Sequence, residues 1–522
     1  MDGSTPRRIF SLASGVLLVA ALTAVVFLIR AGGDPSDAAT WPITWELRSS
    51  DNGVLFQVLQ DVVVGRPLHW SFSPQVFVFP ELPISAVAFV LAGGSVYGYY
   101  LCVAVLNTSV LFLVLVALVR VLYPGRPALL RALVATGPLI LLPLVGTTWI
   151  VSFALAPTYY FGMYAALLLA PVLVLARSRA GRIATGAALA LTAASNPLAL
   201  VFAAPGTAGA LLLLVIRRGR RAALRPVVLA GSTLLAAAVL RLVVTPLQGT
   251  SPLTYVDPAV FATRLSQLQP YYAFQARDPA AAVILATGAA LALAALGGAV
   301  VAAVQYVRRG GRAAPRPDAR LLAVVYLGLV PLGGIAATFA LMITHYLYFW
   351  PVLILPYVLA LLAVPRVAVP ASAVAAAGAV VIVAIGTGGA ANLGEAGRFF
   401  GYRTAETRCL DAVVPGQTGY ATFSDARRLS LPSATGVHLI QLEATGEPST
   451  WLTNRAYATS EPGTFFYVND RGDERPIDTG WVVGSFGAPD REATCSDGQS
   501  VLIYSDPAKR ERIAAHFGVS EG

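Results

Sequence analysis

The sequence predicts an all-α polytopic membrane protein that ends in an α+β or β-rich extracytoplasmic domain. Hydrophobic residues make up 56% of the 522-residue chain and charged residues only 12%, about half the charged fraction usual in soluble proteins. Long apolar stretches alternate with short arginine-rich ones, as expected for helices that cross a bilayer. Near residue 389 the composition changes to that of a soluble domain.

The membrane region covers residues 1–388. An apolar run at 9–29 predicts a first helix that crosses the membrane from inside to outside. A polar loop follows at 30–81, and loops of that length are usually functional or disordered. Its apolar residues between 52 and 64 recur at helical spacing on one face, which indicates an amphipathic helix at the membrane surface.

The apolar stretch at 82–122 is too long for one span. Gly93 and Gly94 divide it into a short interfacial helix and one full span. The pattern predicts about eleven spans in all. After 122 they lie at 132–150, 157–176, 183–197, 199–216, 226–245, 280–306, 321–342, 346–364 and 368–388. Asn196 and Pro197 must turn the chain between two of them.

Arginine residues determine the predicted orientation. They gather in the loops that face the cytoplasm if the N-terminus is inside, and the outside loops before the last span carry few of them. The domain at 389–522 is therefore expected outside a bacterial plasma membrane. The net charge of +10 reflects this topology, so no nucleic-acid partner is expected. Lys509 is the sole lysine, and such arginine-rich, lysine-poor usage is typical of a GC-rich, actinobacterial genome.

The C-terminal domain carries apolar residues at period two, which predicts strands. These runs lie at 437–442, 465–468, 481–486 and 501–504. Cys409 and Cys495 belong to the same domain, and two thiols in an oxidising compartment predict a disulfide. Cys102 lies inside an apolar stretch and is expected to be a small packing residue.

The first outside loop carries the residues that best suit chemistry. Asp51 precedes the amphipathic helix, where it could act as a base or simply cap the helix. Asp61 and Glu46 are the next candidates for this acid. Asp61 could line the same cleft and bind substrate, or lie on a solvated helix face, and His69 is a further candidate for binding substrate. Glu81 is expected to be an interfacial charge at a helix N-terminus.

In this layout the chain resembles the GT-C superfamily of polytopic glycosyltransferases, which use polyprenyl-phosphate sugars. Those enzymes carry an acid in the first extracytoplasmic loop before an interfacial helix, often followed by a glycine turn, and Asp51 and Gly65 take these places here. Many relatives have two adjacent acids, whereas Asn52 follows Asp51 in this chain. The resemblance implies sugar transfer to a cell-envelope glycan, lipid or protein, with Asp51 as the base.

A lipid phosphate needs cationic or hydrogen-bonding groups around it. Arg241 lies in an apolar run near an outside helix end, where it could hold the phosphate or extend to the lipid headgroups. His345, at an outside turn rich in aromatic residues, could bond the phosphate or belong to the aromatic belt. Arg277 is a third candidate. The sequence shows no metal-ligand cluster and no phosphate-binding glycine loop, so no metal or other cofactor is expected.

Two other functions stay open at this point. A transporter or flippase of a lipid-linked substrate would place polar residues at mid-membrane in paired half-helices, and the chief candidates there are Asn107 and Asn196. A non-catalytic scaffold would use the external domain for binding and would leave a filled, apolar surface beside Asp51.

Overall fold

The computed structural model describes residues 4–31, 51–124, 128–145, 160–249, 319–341, 397–443, 445–457, 462–470, 476–496 and 498–518. Between 258 and 308 it describes only separate, mostly single helical positions. The predicted spans at 346–364 and 368–388 lie outside the described residues, as do Arg277 and His345. The described part contains a helical membrane region and a C-terminal region with a sheet, as the composition predicts.

The membrane region is built from helices α1 to α10. They are α1 (Ser4–Ala31), α2 (Val54–Val64), α3 (Glu81–Leu91), α4 (Val96–Leu122), α5 (Ala128–Val145), α6 (Phe161–Leu175), α7 (Arg179–Ser195), α8 (Leu198–Arg218), α9 (Arg220–Val244) and α10 (Ala319–Leu341). A 3₁₀ turn at Thr245–Leu247 follows α9. Between α7 and α8, the Asn196 side chain accepts a hydrogen bond from Leu198 N at 3.1 Å, so the predicted Asn-Pro turn is confirmed.

Five of the described helices are long and apolar enough to cross a membrane. They contain the segments Leu12–Ala31, Val96–Leu122, Leu198–Ile216, Ala223–Leu247 and Leu321–Phe339. The predicted number of about eleven spans is not supported by the described residues, which contain these five. The spans predicted at 132–150 and 157–176 correspond to shorter apolar helices, and the one at 183–197 to the 17-residue α7.

Helices α8 and α10 pack closely because glycines face the neighbouring backbone. A Cβ atom on Gly333 would lie 2.5 Å from Cα of Phe202, and one on Gly206 would lie 2.4 Å from the carbonyl oxygen of Tyr326. No side chain fits at these distances. Glycine therefore allows the two helices to approach each other, as in many membrane helix pairs.

Helix α2 lies where the amphipathic helix was predicted. Val54 and Leu55 are buried, whereas Val62 is 52% exposed. Gln57 and Asp61, one turn apart on the polar face, are also buried. The C-terminal domain, which we call the external domain after its predicted location, covers this polar face and supplies partners for both side chains.

The external domain holds a five-stranded sheet. Its strands are β2 (Thr418–Thr422), β3 (His438–Leu442), β5 (Phe465–Asn469), β6 (Arg491–Ser496) and β7 (Gln499–Ile503), in the order β3-β2-β5-β7-β6. Strands β3, β2 and β5 run parallel, and β7 pairs antiparallel with both β5 and β6. Two short strands, β1 (Trp70–Ser71) and β4 (Thr453–Asn454), form a separate pair.

Helices cover both faces of the sheet, so the domain has two apolar cores. They are α11 (Ala405–Val413), α12 (Phe423–Ser430), α13 (Thr479–Phe486) and α14 (Pro507–His516). Successive side chains of β5 point to opposite faces of the sheet, so Phe466 packs in one core and Phe465 packs in the other. The predicted disulfide between Cys409 and Cys495 is confirmed and joins α11 to β6.

One predicted strand of this domain is wrong. The run at 481–486 is helix α13, which Asp478 caps by accepting a hydrogen bond from Gly480 N at 2.8 Å. Val482 and Phe486, four residues apart, are buried, while Val483 between them is 37% exposed. A short apolar run fits strand and helix periodicity equally well. Burial at an i, i+4 spacing identifies the helix.

Candidate functional site

Three distant parts of the chain meet at one end of the helical bundle. Strand β1 of the first loop pairs with β4 of the external domain. The next residue, Phe72, donates from its backbone to Leu247 O at 2.7 Å and accepts from Gly249 N at 2.8 Å. The first loop is thus held between the external domain and the segment after α9.

Asp61 is fully buried and joins the first loop to the external domain. Its carboxylate accepts hydrogen bonds from Trp70 Nε1 at 3.0 Å, Asn454 Nδ2 at 2.9 Å and the Tyr457 hydroxyl at 2.7 Å. Arg66 forms an ion pair with it at 3.3 Å. Burial and the charge of Asp61 raise the pKa of Tyr457, so its hydroxyl stays protonated and donates. The alternative of a solvated helix face is wrong, and Asp61 is a structural anchor.

Arg427 makes the second contact between the two regions. It lies on α12, directly after the carboxyl end of β2, and is buried. Its Nε donates to Gln57 Oε1 of the first loop at 2.9 Å and its Nη2 donates to Gln441 Oε1 of β3 at 3.3 Å. Burial lowers the pKa of Arg427 to about 10, and the negative charge of Asp51 opposes that fall. The guanidinium therefore carries its charge at neutral pH, beside Asp51.

Asp51 and Glu81 line one narrow cleft between the first loop, α3 and the N-terminal half of α4. Other residues of its wall are Phe77, Tyr99 and Asn107. Oδ1 of Asp51 is buried. Gly53 occupies the N-cap position of helix α2, two residues after Asp51. The two predicted roles of Asp51, as a base or as a cap of this helix, both stay predictions.

The cleft has about 310 Å³ of empty space, open mouth included. The centre of a water molecule can occupy only about 10 Å³ of that space. That is room for roughly one water or one hydroxyl group. The backbone of Phe77 has φ +56°, a strained conformation for a bulky residue. Such strain concentrates at functional sites.

Glu81 is the first residue of α3, the helix N-terminus at which it was predicted, and its side chain is buried. Its Oε1 accepts a hydrogen bond from Gly162 N at 2.9 Å. Burial raises the pKa of Glu81 to about 7, although backbone hydrogen bonds lower it in part. Only glycine fits at 162, because a Cβ there would lie 2.2 Å from Pro80 and 2.6 Å from Glu81 Oε1. The cleft thus holds one carboxyl group that can exchange a proton near neutral pH.

Two other predicted site residues, Arg241 and His69, do not line this cleft. Arg241 donates to the carbonyl oxygens of Ala194 and Pro74, both at 2.9 Å, and so ties α7 and the first loop to α9. His69 is exposed, and its carbonyl oxygen accepts from Arg455 N at 3.1 Å. Asn107, the mid-membrane candidate for transport, is one of the residues that line the cleft.

Sequence reasoning missed Arg427, Asn454 and Tyr457, which bind the first loop from the far end of the chain. One signal pointed to such partners. Gln57 and Asp61 stand four residues apart on an otherwise apolar helix, and buried polar groups require hydrogen-bonding partners. The sequence around Gln57 could not identify its partner, because Arg427 lies 370 residues further along the chain.

Within the described ranges, no group of three or more His, Cys, Asp or Glu side chains is arranged to hold a metal ion. The arrangement instead offers two carboxyl groups and a buried cation around a small cleft. No protein-family model, curated protein or solved structure matches the chain.

Proposed function

We propose that the chain is a GT-C-like membrane glycosyltransferase that moves a sugar from a polyprenyl-phosphate donor to a cell-envelope glycan, lipid or protein. One observation carries this proposal. Asp51, the acid of the first loop, lines a cleft together with Glu81, and the charged Arg427 lies beside it. A carboxylate that serves as the catalytic base needs such an enclosed position, where the acceptor's hydroxyl can reach it but bulk water cannot.

In the proposed reaction, Asp51 takes the proton of an acceptor hydroxyl. The acceptor oxygen then bonds to the anomeric carbon of the sugar, the bond from that carbon to the phosphate oxygen breaks, and polyprenyl phosphate leaves with the electron pair. The cleft has room for about one hydroxyl group. This suits a base that must meet the acceptor's hydroxyl while both sugars remain at the mouth.

The neighbours of Asp51 have separate roles in this proposal. Arg427 holds the carboxylate in place and keeps the external domain fixed on the first loop through Gln57. Glu81 supplies a second proton-exchanging group, since its pKa of about 7 lies close to neutral pH. Arg241 stabilises the loop through two backbone carbonyls, so Arg277 and His345 are the proposed ligands of the donor phosphate.

The proposed topology places the reaction on the outer face of the plasma membrane. The arginine distribution supports an N-terminus in the cytoplasm, about eleven spans and an external C-terminal domain. The disulfide between Cys409 and Cys495 supports the same orientation, because disulfides persist in oxidising compartments.

Replacing Asp51 by Asn tests the assignment of the base. The purified protein in nanodiscs is incubated with a panel of polyprenyl-phosphate sugars and a cell-envelope extract, and released polyprenyl phosphate is measured. General-base catalysis contributes about 10²- to 10⁴-fold. We therefore expect kcat to fall by at least about 100-fold while KM changes little.

The matched control is Glu492→Gln, an exposed carboxylate on β6, which should keep full activity. Full activity of a folded Asp51→Asn variant would falsify the base assignment. If no donor reacts with the wild type but a fluorescent lipid-linked sugar crosses the bilayer in vesicles, the chain is a flippase instead.

A further inference from the structure

A second cavity lies within the bundle, away from the cleft of Asp51. Helices α6, α8, α9 and α10 surround it. It has about 640 Å³ of empty space, open mouth included, and the centre of a water-sized sphere can occupy about 110 Å³ of that. Its wall is formed by leucine, alanine, proline and valine side chains, with Thr207 and Tyr326 as the polar residues. An apolar wall of this kind suits a hydrocarbon chain.

The Tyr326 hydroxyl is the unusual group of this wall. It is buried, and within the part of the chain that the structure describes it has no hydrogen-bond partner. A buried hydroxyl without a partner is unfavourable. The occupant that best fits the cavity therefore brings a hydrogen-bond acceptor along with its hydrocarbon chain.

The cavity lies toward the arginine-rich ends of its helices. Its wall includes Leu175 at the last position of α6 and Pro226 near the start of α9. Arg177, Arg221 and Arg225 stand beside these ends and are exposed. Basic residues at the mouth of a pocket between membrane helices are typical of sites for anionic lipid headgroups.

We propose that this cavity binds one acyl chain of an anionic phospholipid. The headgroup phosphate lies against Arg221 and Arg225, and an ester carbonyl oxygen accepts a hydrogen bond from Tyr326. Tyr326 is seven residues from the start of α10, about 10 Å along its axis, which places it below the headgroup layer, at the depth of the ester groups. A polyprenyl chain fits less well, because its hydrocarbon offers no acceptor to the hydroxyl.

Lipid titration of the delipidated protein tests this assignment. Native mass spectrometry measures the binding of phosphatidylglycerol, phosphatidylcholine and polyprenyl phosphate to the full chain. We expect phosphatidylglycerol to bind at least about tenfold more tightly than phosphatidylcholine. The double variant Arg221→Ala/Arg225→Ala should weaken phosphatidylglycerol about 30-fold, since each arginine near an anionic surface contributes about fivefold.

Two further variants examine the inside of the cavity. Tyr326→Phe removes one hydrogen bond and should weaken phosphatidylglycerol about fivefold, while Ala230→Leu fills part of the space and should abolish the preference. The control is Arg120→Ala, an exposed arginine at the end of α4, a helix that does not line the cavity.

Three results would overturn the proposal. The first is equal binding of phosphatidylglycerol and phosphatidylcholine by the wild type. The second is an equal effect of the double variant and of Arg120→Ala. The third is tighter binding of polyprenyl phosphate than of phosphatidylglycerol with no effect of Tyr326→Phe, which assigns the cavity to the prenyl chain. The first comparison needs no variant, so it holds even if Ala230→Leu fails to fold.

Discussion

The surroundings of two buried carboxyl groups, those of Asp61 and Glu81, have opposite effects on their charge. Asp61 meets donors from four side chains, among them the Arg66 guanidinium, so its charge is compensated. Glu81 accepts a hydrogen bond from the N–H of Gly162, but burial outweighs it and raises the pKa of Glu81 to about 7. The first group therefore holds the structure together, and the second can change its charge near neutral pH.

Replacing Asp61 by Ala should lower the free energy of unfolding of the external region by about 3–5 kcal/mol, because Trp70, Asn454 and Tyr457 lose their common acceptor inside the protein. Chemical denaturation in detergent, followed by tryptophan fluorescence, measures the loss. The control Glu443→Gln changes an exposed carboxylate and should stay within about 0.5 kcal/mol of wild type. Equal stability of the two variants contradicts the anchoring role.

Glu81 should make stability depend on pH. Its pKa of about 7 in the folded protein exceeds the ordinary value of 4.5, so between these values the folded state binds more protons than the unfolded state. The wild type should therefore lose about 3 kcal/mol as the pH rises from about 4.5 to about 7. Thermal melting of Glu81→Gln against pH should lack this decline, since the amide oxygen still accepts from Gly162. An unchanged pH profile excludes Glu81 as its source.

At the scale of single elements, close helix packing depends on glycine only where a neighbouring backbone is near. Gly333 of α10 faces Phe202 of α8, whereas a Cβ on Gly231 of α9 would meet nothing within 4 Å. Both are helical glycines. The pair therefore separates the effect of packing from the helix propensity of glycine.

Gly333→Ala should destabilise the bundle by about 1–3 kcal/mol, because the new methyl group forces α8 and α10 apart. Gly231→Ala should be neutral or stabilising by up to about 1 kcal/mol, since alanine is the better helix former. Thermal melting of both variants in the same detergent provides the comparison. A similar loss in both variants would show that the spacing between α8 and α10 is not limited by Gly333.

The elements themselves were largely predictable from periodicity, but their partners were not. The bounds of α2, the break at Gly93 and Gly94 and most strands of the external sheet follow from local patterns. The buried face of α2 does not, because it depends on side chains of a domain far along the chain. Local sequence carries no information about such contacts.

At the scale of the whole molecule, the same limit applies to the candidate site. Asp51 was predictable from its place before a surface helix, and the cysteine pair from the compartment. Arg427 was not, since Asp-Ala-Arg-Arg at 425–428 looks like an ordinary solvated helix end. Only the fold brings the carboxyl edge of β2 against the first loop, in keeping with the tendency of α/β sheets to place sites at that edge.

The disulfide between Cys409 and Cys495 closes a separation of 86 residues within the external domain. Replacing both cysteines by Ala should lower the domain's free energy of unfolding by about 2–4 kcal/mol. Urea unfolding with and without reductant measures this: reductant should destabilise the wild type and leave the double variant unchanged. Cys102→Ala is the control, because Cys102 is the free thiol of the described residues. An identical response of wild type and double variant to reductant contradicts the structural role.

The pairing of β1 with β4 has a consequence for biosynthesis. The ribosome delivers Trp70 before helices α3 to α12 and its partner Asn454 after them. Until then Asp61 lacks two of its donors and Asp51 lacks its cation. A nascent chain halted before the external domain therefore has no assembled site, so the protein can become competent only after residues 454–457 have been made.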